Sequence, residues 1–248
     1  MFEPTRPTDA PDLLRVSEFQ RHLQEWIATA SPAGRVTRVP PSGHALVADL
    51  RQPQTAHGHE ALEVLAACVR HGRRVTVHLR CGDFVLPLTV CPPEQRVLCR
   101  ADLLDHLFGH LDSVTLLMVE PALVRPPAED DPPTPGPALH HPLGPVLWQL
   151  AIRGLRATLL PEIAGPAAYR VAPGLDTTGF ALPNAEAAAV YRLRRESATL
   201  RTVSQWPGFD RDRAARLLNA LYLQAGLIVS RSHPSARRES WFGSLGSG

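Results

Sequence analysis

The apolar positions of this chain alternate between helical and strand periodicity in a readable order. Phe19, Leu23, Trp26 and Ile27 form a stripe at helical spacing, opened by Ser17 with Gln20 three residues on, and the helix is expected to end near Ser31-Pro32. Two strands are predicted at Arg35–Val39 and His44–Leu50, joined by a turn at Pro40-Pro41-Ser42-Gly43. A second helix follows at His59–His71, with Leu62, Leu65, Ala66 and Val69 on one side. Val75, Val77 and Leu79 then alternate with Thr76, His78 and Arg80, the period-two signature of a half-buried strand. Cys81-Gly82-Asp83 turns into a strand at Phe84–Cys91, and Pro92-Pro93-Glu94-Gln95 turns again into Val97–Arg100. Links this short permit antiparallel pairing and forbid parallel crossovers, so the three strands form a meander. A helix over Ala101–Leu111 and an apolar strand over Val114–Val119 complete this half.

The pattern stops at the prolines. Pro126-Pro127, Pro132-Pro133, Pro135 and Pro137, with Glu129-Asp130-Asp131, cannot build a core, so residues 123–145 are expected to be an extended linker. Beyond it a helix is predicted at Val146–Leu155, a short strand at Tyr169-Arg170-Val171, and turns at Gly165-Pro166 and Pro173-Gly174. Asn184 reads as the cap of an alanine-rich helix to about Arg195, Thr199 as the cap of a short helix through Trp206, and Asp210 as the cap of a third helix to Ala225. That third helix carries Ala214, Leu217, Leu218, Leu221 and Ala225 on its core stripe; Gly226 is expected to stop it, and Leu227–Ser230 to follow as a strand. The organisation predicted is an α+β domain at 13–122, a linker at 123–145 and a mainly helical domain at 146–231. Residues 1–12 and the polar tail 232–248 are expected to be disordered.

Two resemblances attach to these elements. Helix, turn, helix and strand over residues 184–231, with LLNALYLQAGLIV from Leu217 to Val229, resemble a winged helix-turn-helix domain whose third helix runs into its wing. The first half is similar, in element order only, to roadblock/longin-type α+β domains. That second resemblance implies a homodimer, or a small GTPase as partner.

Composition narrows the chemistry. Every one of the 26 basic residues is an arginine. A chain without lysine cannot supply a P-loop cation or a Schiff base, and neither G-x-x-x-x-G-K-[ST], G-x-G-x-x-G nor G-x-S-x-G occurs. Cys68, Cys81, Cys91 and Cys99 form no C-x-x-C pair and read as buried thiols of a cytoplasmic protein. The polar, proline-rich start has no apolar run after it, so neither a secretory signal nor a membrane span is expected. Asp102, His106 and His110 fall at i, i+4 and i+8 on one helix and are the best metal candidates. The opposite face (Leu103, Leu104, Leu107, Phe108 and Leu111) already accounts for that helix as an amphipathic layer, so no metal or other cofactor is expected, and no catalytic residue is assigned. His57-Gly58-His59-Glu60 and His140-His141 read as solvated loop and linker residues.

Net charge is only +2, yet residues 185–238 hold ten arginines against Glu186, Glu196, Asp210 and Asp212. Arg192, Arg194, Arg195, Arg201 and Arg231, with Arg237 and Arg238, are therefore candidates for DNA phosphate contact. The outward face predicted for the third helix (Asp212, Arg216, Asn219, Ala220 and Leu223) is near neutral and offers a base edge little, so it suits another protein surface better. Arg216, Asn219, Leu223, Trp241 and Phe242 are the candidate protein contacts, with the Val146–Leu155 helix or a partner subunit as what meets the third helix. The function expected is that of a non-enzymatic bacterial cytoplasmic regulator or adaptor acting through protein contacts, with no membrane partner. The alternative is a DNA-binding transcriptional regulator.

Overall fold

The computed structural model describes residues 14–29, 59–122, 140–154 and 156–236. The strands expected at 35–39 and 44–50 lie outside them, as do most of the proline-rich segment and the tail from 237 on. The fold is α+β, with two antiparallel sheets and helices against them.

β1 (Leu14–Arg15) leads directly into α1 (Val16–Thr29), and α2 (His59–His71) precedes the meander of β2 (Val75–Cys81), β3 (Phe84–Cys91) and β4 (Arg96–Leu98). α3 (Ala101–Gly109) and β5 (Thr115–Pro121) follow. The sheet order is β5-β2-β3-β4-β6, with β1 on β3, where β6 is His140–Pro142. Val75, Val77 and Leu79 stand opposite Val90, Leu88 and Leu86 and make the buried face. The other face carries His78, over which the Phe19 ring of α1 packs at 5.1 Å.

β6 corrects the expected linker. Its three residues pair with β4 (Val97 opposite His141), and His141 Nε2 lies 3.0 Å from the Cys99 carbonyl oxygen. Histidine and proline give no apolar alternation, so this strand could not be seen as one. β4 binds it with backbone groups, and a short strand ending in proline closes that edge to further pairing. α4 (Leu143–Arg153) then starts earlier than expected, with Pro145 in its first turn, where a missing N–H costs no hydrogen bond.

α4 joins the two halves of the chain. Leu143, Val146, Leu147, Trp148, Leu150 and Ala151 are all buried in a cluster that runs without a break from α2 and the first sheet into the C-terminal helices. Arg70 reaches Glu162 at 2.6 Å, and Arg156 pairs with Glu63, so ion pairs cross the same seam.

The C-terminal part contains β7 (Ala168–Val171), α5 (Asn184–Arg195), β8 (Ala198–Thr199), α6 (Leu200–Ser204), α7 (Arg211–Leu223) and β9 (Leu227–Ser230). Its sheet has the order β8-β7-β9. The middle strand thus comes from before α5, and β9 pairs back to it rather than to a strand that follows. Thr199 and Asp210 cap α6 and α7 as expected, accepting from the Thr202 and Arg213 N–H groups. Asn184 does not cap α5; the helix starts one residue earlier, behind Pro183, with no side-chain cap. Gly226 also plays a different part. Ala225 takes the left-handed conformation at φ 52°, and the Gly226 N–H donates to the Leu221 carbonyl at 3.0 Å. Gly226 is needed for space, since a Cβ there would stand 2.5 Å from Leu175 Cδ2.

Ala225→Gly is therefore expected to raise stability by about 1 kcal/mol by removing the left-handed penalty of a Cβ. Gly226→Ala is expected to lower it, and the denaturation midpoints of the two variants move in opposite directions. The cysteines give a second expectation. All four are buried and free; burial pushes the Cys68 and Cys99 thiols up to about 12 and Cys81 to about 11. An unfolded thiol ionises near its ordinary value of 9.0, while the folded one keeps its proton there. Stability is therefore full below that pH and falls as the pH climbs from there toward the folded values. A thiol reagent at pH 8 should leave all four unmodified until denaturant is added.

Candidate functional site

The third helix of the C-terminal unit was the surface from which recognition was expected, and its sequence decides how it is placed. α7 is apolar on more than one side: Ala214, Leu217, Leu218 and Leu221 face its own unit, and Ala215, Ala220 and Leu223 are buried as well. α4 provides the second layer, and the α4–α7 contact is the largest between any two helices described. Leu223 is 5% exposed and Asn219 not at all. They cannot serve as contacts for a partner in this arrangement, which corrects their assignment as such. α4 (Leu143–Arg153), within one of the two surfaces expected to meet this face, packs against α7.

Asn219 has a definite task. Its Nδ2 donates to the Thr158 carbonyl at 2.9 Å, and its Oδ1 accepts from the Leu160 N–H at 2.9 Å. A single amide thereby satisfies a buried donor and acceptor of an irregular segment that has no ladder of its own. Arg216 does not pair with Asp212 as helix spacing suggested. Its guanidinium carbon lies 3.8 Å, and an Asp112 carboxylate oxygen 3.9 Å, from where a Cβ on Gly154 would stand. Those are ordinary contact distances, and it is the φ of 131° that favours glycine at residue 154. Arg216 thus faces the turn after α4, and its Nε is buried without a partner.

The arginines expected to meet phosphates are largely engaged within the chain. Arg192 pairs with Glu196 and stacks over Trp206, its guanidinium carbon 4.6 Å from the ring centre. Arg194 donates to the Leu175 carbonyl at 2.8 Å, and Arg195 to the Tyr191 hydroxyl at 2.9 Å. Arg231 donates to the Ala164 and Glu162 carbonyls. Arg201 lies exposed on α6. Trp241 and Phe242 are outside the described residues.

The histidine stripe on α3 is drawn inward upon itself. His106 and His110 have ring centres 4.3 Å apart, His110 Nδ1 sits 2.9 Å from the His106 carbonyl oxygen, and Asp102 is taken by Arg100. The Arg100 guanidinium holds the Asp102 carboxyl below its ordinary value. Among the described residues no group of three metal-ligating side chains converges.

Sequence reasoning missed two features. Glu186, in the first turn of α5, is buried and holds Arg213 of α7 in a two-pronged pair at 2.6 and 2.8 Å, while Arg213 also donates to the Gly208 carbonyl. An acidic residue in a first turn signals only the helix dipole, and nothing local reveals a partner 27 positions away. The second is Tyr191, 62% exposed on the outer face of α5, beside exposed Ala187, Ala188 and Arg195. Its spacing reads as an unremarkable solvated helix face.

No family model, curated protein or solved structure matches the chain. Asn219→Ala is expected to lower stability by about 2–3 kcal/mol, because it leaves both the Leu160 N–H and the Thr158 carbonyl buried and unpaired. Chemical denaturation of the full chain measures it; a change within error of zero would mean the two bonds do not hold.

Proposed function

We propose that this protein is a non-enzymatic cytoplasmic regulator or adaptor that works through protein contacts, and that the outer face of α5 is one of its contact surfaces. The observation that carries this reading is Tyr191, a large side chain left exposed at 62% on a platform of small alanines with Arg195 beside it. Tyrosine and arginine are the side chains that most often anchor a protein interface, and alanines let a partner's backbone come close. Ile228 on β9, 46% exposed, is a second apolar position available for contact. In this reading the C-terminal helices form a winged-helix-like unit whose third helix is turned inward onto α4. A small GTPase or a second copy of the chain are the partners that the element order of the first half suggests.

The alternative is DNA binding. The exposed arginines at the end of α5 favour it, because a guanidinium with one bond made keeps donors for a phosphate. Against it stands the covered face of α7. A helix that enters the major groove needs that face free, and α4 lies on it. Among the described residues no helix is long and apolar enough to cross a membrane.

Both readings meet in one pair of measurements. At low salt the full chain is expected not to be retained on duplex DNA; retention that weakens with salt and disappears in the Arg192, Arg194, Arg195→Ala variant would establish the alternative. A photo-crosslinking side chain at position 191 should give adducts with another polypeptide in cells, and one at the exposed Asp83 should not. Equal labelling from both positions would remove α5 as the contact face.

A further inference from the structure

The face that α5 turns to solvent continues past the end of the helix onto the small sheet. Arg170 of β7 stands directly opposite Ile228 of β9, so the two side chains share one face of that sheet. The Arg170 guanidinium reaches the Arg194 carbonyl at 3.4 Å, at the end of α5. Arg195, the next residue, donates to the Tyr191 hydroxyl at 2.9 Å. Tyr191 and Ile228, both large and both exposed, are thus linked by a run of arginines.

The Arg192 charge is already matched by Glu196 and adds nothing to this surface. Arg170, Arg194 and Arg195 differ. Each hydrogen-bonds only to neutral oxygen: the Arg194 carbonyl, the Leu175 carbonyl and the Tyr191 hydroxyl. A neutral acceptor orients a guanidinium but leaves its charge in place. Among the described residues no carboxylate pairs with any of the three. The Asp176 carboxyl lies near Arg194, but the Thr178 hydroxyl and N–H bind it and hold it below its ordinary value, the Arg194 charge being the smallest of the causes. Three positive charges therefore face one negative, and all four groups are exposed. Capping of the last carbonyls of α5 accounts for where Arg170 reaches, and the helix dipole favours Arg194 and Arg195 there. Neither accounts for a tyrosine and an isoleucine left in water at the two ends of the run.

We infer that this surface docks an acidic, amphipathic segment of the partner protein, whose apolar side chains meet Tyr191 and Ile228 and whose carboxylates meet Arg170 and Arg195. The inference rests on the protein-contact reading of α5 and names the chemistry of what α5 contacts. Charge complementarity decides the occupant. A guanidinium with one bond made keeps further N–H donors, in the fork geometry that a carboxylate accepts. A neutral or basic segment would cover Arg170 and Arg195 without supplying a counter-charge, which is costly. A polynucleotide brings a uniform rail of phosphates, whereas these cations are bounded by apolar side chains and stand beside Asp176.

The test places a photoreactive phenylalanine at position 191 or 228 of the full chain in cells, and sequences the attached peptide by mass spectrometry. Both positions are expected to reach the same partner, and the attached segments to be rich in Asp and Glu with a net negative charge. Arg170→Glu and Arg195→Glu should each cut the adduct yield about tenfold, by setting like charges against each other. Arg170→Lys and Arg195→Lys, which keep the charge, should retain most of it. Both arginines are exposed, so the variants should melt like the parent, and the melting temperatures separate lost docking from lost fold. Attachment to a neutral or basic segment, different partners at 191 and 228, or an unchanged yield in the folded charge-reversal variants would overturn the inference and leave α5 as a contact face. No polypeptide adduct at 191, or adducts with nucleic acid alone, would overturn both this inference and the reading beneath it.

Discussion

The rest of this structure depends on α7 being covered on two sides. A helix with alanines and leucines around most of its circumference cannot stay at a surface, because each exposed leucine forfeits about 1.5–3 kcal/mol of burial. α4 supplies the missing cover, and in doing so it ends up between the first sheet and the C-terminal helices. Once α4 is there, its neighbours follow. β6 pairs where α4 begins, Gly154 turns the chain at a φ of 131° where α4 ends, and the 156–166 segment runs along α7 with Asn219 holding it there.

This arrangement separates two kinds of arginine. Some are used up in holding the chain together, such as Arg213 on Glu186 and Arg231 on two carbonyls. Others, such as Arg195 and Arg211, sit where the solvent is. A count of charge along the sequence cannot tell them apart. The C-terminal excess of positive charge therefore overstated the case for a polyanion partner, since several of its members are spent internally.

The elements themselves were legible where local chemistry sets them. The meander of β2, β3 and β4, the caps Thr199 and Asp210, and the extent of α2 all follow from periodicity and capping within a few residues. What could not be read is what each element faces. The outward stripe of α7 was correctly found to be near neutral, but only the tertiary arrangement shows that Asn219 and Leu223 are interior residues. The strand at His140–Pro142 has no apolar pattern, being held by backbone pairing with β4 and the His141 ring on the Cys99 carbonyl. Gly226 shows a subtler limit: its position after a helix announces a stop, while its actual reason is the nearness of Leu175, fifty-one residues earlier in the chain.

The short strand after the prolines has a consequence for how the gene can be divided. A segment so rich in proline invites the placing of a boundary, and a fragment starting at residue 146 would look like a natural unit. Such a fragment would begin inside α4, without the strand that seats it and without the α2 and first-sheet residues that share its buried cluster. The complementary fragment would keep β6 on β4 but lose the helix that follows it. A cut there divides one continuous buried cluster between two chains.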